Sequence, residues 1–105
     1  MNILINSNIS NKIINYIIEH INLFDSFESI YLFGSILDNN KIPNDIDLLL
    51  IYEKNSIQLL DELKKISVIL EERYELPIDF TILSTNEAKE VKFLNKIFPF
   101  YLKVK

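Results

Sequence analysis

At 105 residues the chain is long enough for one compact domain (residues 1–105) with a single core, and too short for two. Hydrophobic residues make up 49% and charged residues 25%, the balance of an ordinary soluble protein that can bury a core. A net charge of -4 argues against broad, sequence-independent nucleic-acid binding, and the lack of cysteine excludes disulfides and thiolate metal sites.

No apolar run approaches the length needed to cross a bilayer, so no membrane role is expected. The opening MNILINSNIS lacks a basic region followed by an apolar run, so a cytoplasmic protein without a signal peptide is expected. The single His20 cannot make a zinc site without further soft ligands. Lys89, Lys92, Lys96, Lys103 and Lys105 crowd the last stretch and read as a solvated helix face, with a local basic face as the alternative.

Ser10 is placed to cap a first helix, whose apolar stripe is Ile13, Ile14, Ile17, Ile18 and Ile21. His20 sits at the edge of that stripe as a surface residue. Ser29–Phe33 is aromatic and β-branched and stops at Gly34, as a buried strand does. Residues 36–44, with Asn39, Asn40 and Pro43, read as a loop. Asp45–Tyr52 is a second strand, covered on both faces toward its end. Asn55 or Ser56 caps a second helix to about Tyr74, with Ile57, Leu60, Leu63, Ile66 or Ser67, and Leu70 on its buried side. After Pro77 comes a third strand, Ile78–Leu83. Ser84 and Glu87 then have capping-box spacing and open a third helix to about Phe98, with Ala88, Val91, Leu94 and Phe98 as its stripe. The segment 98–104 reads either as an edge strand or as a partner-binding segment.

Three pieces carry chemistry. Gly34 is the single glycine and is followed by Ser35, directly after a strand. A backbone that turns tightly beside a hydroxyl suits phosphate oxygens. Asp45 and Asp47 are two apart on a strand, so both carboxylates point to one face. Side by side they repel, and Mg²⁺, which takes one or two carboxylates plus substrate phosphates, removes the conflict. Asp79 interrupts an apolar strand between Ile78 and Phe80, and a charge there calls for a partner or a metal. Should its strand lie beside Asp45–Tyr52, the three carboxylates form a triad.

The order strand, Gly34-Ser35, nine residues, Asp45-x-Asp47, helix, strand with Asp79 resembles the nucleotidyltransferase superfamily. The likeness spans roughly Ile30 to Leu83, and the small size looks like the minimal nucleotidyltransferases (MNT proteins), many of which are antitoxins of HEPN ribonuclease toxins. The resemblance implies an α/β fold of the polymerase-beta type, a small mixed sheet with helices packed mainly on one side. It implies that Ser35 and the Gly34 backbone hold the triphosphate of ATP. It also implies that Asp45 and Asp47 bind two Mg²⁺ ions, and that Asp79 binds the metal on the nucleophile side. In-line displacement at the α-phosphate would release pyrophosphate. Where relatives often carry Arg or small residues and a second glycine, this chain has Ile36, Leu37 and Asp38. The implied activity is AMP transfer to a protein hydroxyl, most naturally of a HEPN toxin. A non-catalytic antitoxin acting by contact, and an enzyme modifying a small molecule such as an antibiotic, are the alternatives.

Overall fold

The structure is a computed structural model. It describes residues 2–38, 40 and 42–105, with side chains from Ile9 onward. Helix α1 (Asn2–Glu19) is followed by a 3-10 turn (Ile21–Phe24) and strand β1 (Ser29–Phe33). A second 3-10 turn (Ser35–Leu37) leads through a loop to β2 (Ile46–Tyr52). Helix α2 (Ile57–Tyr74), β3 (Ile78–Ser84), α3 (Thr85–Val91), α4 (Phe93–Ile97) and β4 (Tyr101–Lys103) complete the chain order. The sheet order is β3-β2-β1-β4, with β2 and β3 parallel and both pairs involving β1 antiparallel. It is therefore the small mixed sheet expected.

Alternation along each strand divides the residues between two faces. Ile30 and Leu32 of β1 lie opposite Leu50 and Leu48 of β2, and with Ile46 all are fully buried. Ile13 and Ile17 of α1 and Leu59, Ile66 and Leu70 of α2 close over that face, with Phe24 and Phe27 filling the corner. Each such side chain contributes roughly 1.5–3 kcal/mol by leaving water. The two long helices thus share one face, and among the described residues only the short α3 and α4 cross the other.

Several local expectations change. Ser10 is an interior residue of α1 and 8% exposed, because the helix begins at Asn2 rather than at a Ser10 cap. In α2 the buried line is Leu59, Leu63, Ile66 and Leu70, whereas Ile57 is 79% and Leu60 64% exposed. The sheet sets the rotation of that helix, and its apolar residues span more than one face. Lys92 adopts the left-handed conformation (φ 49°), so one expected helix is two, α3 and α4. The break carries Phe93 onto Phe33, ring centroids 5.5 Å apart, and leaves Val91 and Phe98 exposed. The capping box is present: Ser84 Oγ accepts from the Glu87 N–H and Glu87 Oε1 accepts from the Ser84 N–H. Segment 98–104 contains the edge strand β4, with Tyr101 opposite Phe33. Lys105 Nζ donates to the Phe24 carbonyl at 2.9 Å, which takes that lysine out of the solvated set.

Candidate active site

Gly34 ends β1 with φ 87° and ψ -153°, a conformation that L side chains rarely adopt. A Cβ built there would lie 2.5 Å from Asp47 Oδ2. Glycine is therefore required twice, once for the turn and once to leave room for a carboxylate. The Gly34 N–H donates to the Phe100 carbonyl at 3.0 Å. That amide, expected as a phosphate donor, is already engaged, so Gly34 serves the site through shape and space. Ser35 is half-buried and opens the 3-10 turn, which Leu37 N–H to Gly34 O and Asp38 N–H to Ser35 O close at 3.0 Å each. Ile36, one of the departures from the family pattern, is 1% exposed and pins the turn into the core. Asp38, another departure, accepts the Asn40 N–H at 3.0 Å, so its carboxylate is occupied within its own loop.

Asp45 immediately precedes β2 and Asp47 is its second residue. In the ladder Asp47 sits between Phe33 of β1 and Asp79 of β3. Residues in register share a face, so Asp47 and Asp79 lie side by side opposite the core. One carboxylate oxygen from each of Asp45, Asp47 and Asp79 falls within 4.8 Å of the others. Asp45 and Asp47 are half-buried and Asp79 is exposed on the edge strand. The structure thus brings these three together beside Gly34; His20, whose Nδ1 donates to the Tyr16 carbonyl at 2.9 Å on α1, takes no part.

Charge has a visible consequence. The Asp47 carboxyl is pushed up from 3.8 to about 6, first by burial, then by Asp45 and Asp79, with a hydrogen bond from Asp45 adding to it. No ion pair among the described residues offsets this repulsion, and three hard oxygen donors converging there fit a divalent cation such as Mg²⁺ or Mn²⁺.

Two contributors left no trace in the sequence. The Phe100 carbonyl fixes the Gly34 amide, and a main-chain carbonyl carries no residue-type signal. Phe33 flanks Asp47 with its ring set by Phe93. A phenylalanine at the end of an apolar strand carries no residue-type sign of that role.

The family model for polymerase beta, nucleotidyltransferase, matches residues 11–98, which holds every residue of the cluster. A crystal structure of a candidate nucleotidyltransferase from Sulfolobus solfataricus superposes with a TM-score of 0.52 at 18% identity, covering 86% of this chain and 80% of that one. At that identity the likeness speaks for the fold. No curated protein matches the chain.

Proposed function

The chain belongs to the polymerase beta nucleotidyltransferase family, whose members use a nucleoside triphosphate and a divalent metal, and on that premise we propose that it transfers AMP from ATP to a hydroxyl of a protein partner. The observation that carries this reading is the convergence of Asp45, Asp47 and Asp79 beside a glycine that makes room for one of them. The partner we propose is a HEPN-type toxin, with this chain as its antitoxin in the cytoplasm. No helix among the described residues is long and apolar enough to cross a membrane.

In this reading Asp45, Asp47 and Asp79 hold Mg²⁺. Bound there, Mg²⁺ would neutralise the carboxylates and draw charge from the α-phosphate and from the leaving pyrophosphate. Ser35 donates its hydroxyl to a phosphate oxygen, and the Gly34 turn lets the triphosphate approach the backbone closely. Asp79, exposed on the edge strand, faces the side from which an acceptor hydroxyl arrives and takes its hydrogen bond. The acceptor oxygen forms a bond to the α-phosphorus. The bond to the bridging oxygen breaks, its electrons leave with pyrophosphate, and the hydroxyl proton passes to solvent.

Mass spectrometry of the partner after incubation with ATP and Mg²⁺ tests the proposal. The expected result is a gain of one or more AMP units with wild-type protein and none with Asp47→Asn. No transfer, together with full neutralisation of the partner by Asp47→Asn, would establish the contact-only antitoxin instead.

A further inference from the structure

Strand β3 is an edge of the sheet, and its outward backbone is closed at both ends and open in the middle. The Ile46 N–H donates to the Pro77 carbonyl across the parallel β2–β3 ladder. Parallel pairing alternates, so residues 79, 81 and 83 turn their peptide groups to β2 and residues 78, 80, 82 and 84 turn theirs outward. Ile78 N–H donates to Glu71 Oε1 at 3.2 Å, and Ser84 N–H donates to Glu87 Oε1 at 2.8 Å. Between them, the N–H groups of Phe80 and Ile82 meet no acceptor among the described residues. On the helix face this edge opens into an apolar cleft of about 530 Å³ lined by Ile57, Leu60, Leu63 and Ile82. On the opposite face the same strand carries Asp79 of the carboxylate cluster.

We propose that β3 receives the acceptor polypeptide as an added, fifth strand, which sets a Ser, Thr or Tyr of that polypeptide beside Asp79. This rests on reading the carboxylate cluster as the transfer site. In an antiparallel addition, Phe80 and Ile82 form the hydrogen-bonded pairs. Asp79 then falls at a non-hydrogen-bonded position, where opposed Cα atoms are about 4.5 Å apart. The residue opposite Asp79 points to the same face as the carboxylates, so its hydroxyl oxygen is the one that bonds to the α-phosphorus as pyrophosphate leaves. The residues opposite Phe80 and Ile82 point to the helix face, and an apolar side chain opposite Ile82 lies at the mouth of the cleft.

Charge selects the occupant. Glu71 and Glu87 flank the open stretch, so they favour a segment with Lys or Arg at its two ends and oppose an acidic one. The same pair argues against a second copy of this chain. Pairing β3 with its symmetry mate about Thr81 would set Ile78 opposite Ser84, and so the Glu71 carboxylate of one copy against the Glu87 carboxylate of the other. Like charges so placed destabilise the pairing.

The test uses the full chain and the synthetic peptide Lys-Gln-Val-Gln-Val-Ser-Lys, with a counterpart carrying Glu at both ends. Amide NMR shifts are followed without nucleotide, so that binding is read independently of catalysis. The proposal expects saturable shifts at Phe80 and Ile82 with the basic peptide, at least about tenfold weaker binding of the acidic one, and a reversed preference in Glu71→Lys/Glu87→Lys. Leu60→Asp, at an already exposed position, should weaken the basic peptide severalfold while leaving the fold intact. Three results would overturn it: shifts confined to other strands, equal binding of the two peptides, or Phe80 and Ile82 shifts that track protein concentration without peptide. AMP transfer to a partner that leaves the β3 amides unperturbed would overturn this inference while the proposed function stands.

Discussion

The two faces of β2 are built from one heptapeptide and do opposite things. Ile46, Leu48 and Leu50 point to the helices and are completely buried. Asp47, one residue out of phase, points to the other face, where two further carboxylates crowd it. On the first face every group is satisfied by its neighbours. On the second the protein holds a charge conflict that no ion pair among the described residues resolves, and burial and the two neighbouring carboxylates hold the Asp47 carboxyl up at about 6. Stability and function are therefore separable along a single strand, one residue at a time.

The sharpest way to break that comparison is to substitute neighbours. Leu48→Ala should destabilise the fold by about 3 kcal/mol, the usual result of emptying a buried leucine site. Asp47→Asn should leave the metal-free fold unharmed or somewhat more stable, because a repulsion is removed. Urea unfolding of the two variants reads both effects, and a destabilised Asp47→Asn would contradict the separation of the faces.

Gly34→Ala joins the two faces in one experiment. The residue has a positive φ, and its new Cβ would sit 2.5 Å from Asp47 Oδ2. A stability loss of roughly 1–3 kcal/mol is expected from the strained backbone. Calorimetric titration with Mn²⁺ should also show an affinity lower by at least about tenfold, since the carboxylate must move. Unchanged Mn²⁺ affinity would mean that Asp47 does not depend on the space beside Gly34.

The pH dependence sharpens the comparison further. Asp47 unfolded titrates at 3.8 and folded at about 6. Between these values the native state keeps a proton that the unfolded state has lost. The resulting stabilisation is present in full below about pH 3.8 and disappears as pH rises through about 6. Solvent screening at this half-open position limits it to about 1 kcal/mol. The difference in unfolding free energy between wild type and Asp47→Asn should therefore change by that amount between pH 4 and 7, favouring the variant at the higher pH. Saturating Mg²⁺ should abolish the trend. A difference that does not vary with pH would show Asp47 to be an ordinary surface carboxylate.

The smallest effect on the carboxylate site is expected where neither face is involved. Ser84→Ala removes the side-chain half of the capping box on α3 and should cost about 1 kcal/mol. Thermal unfolding would register it, and Mn²⁺ affinity should not move.

Much of this could be read before any coordinates, and the reason is locality. The period of two along β2, the stop of β1 at Gly34 and the Ser84–Glu87 box all depend on residues within a few positions of one another. The position of Asp79 was legible one step further out, since a charge inside an apolar strand needs an explanation. What could not be read depends on the assembled sheet. The rotation of α2, which exposes Ile57 and Leu60, follows from its packing on the 3-10 turn Ile21–Phe24 and on β3. The break at Lys92 is fixed by the packing of Phe93 on Phe33. The Phe100 carbonyl reaches Gly34 only because β4 folds back beside β1, and nothing in the residue type of Phe100 announces it.

The central claim is that Asp45, Asp47 and Asp79 form one divalent-cation site. Mn²⁺ binding followed by electron paramagnetic resonance tests it without needing a substrate or partner. The account predicts saturable binding that Mg²⁺ displaces, weakened at least about tenfold in Asp47→Asn and in Asp79→Asn, with circular dichroism showing both variants folded. Equal Mn²⁺ affinity in wild type and Asp47→Asn would contradict it.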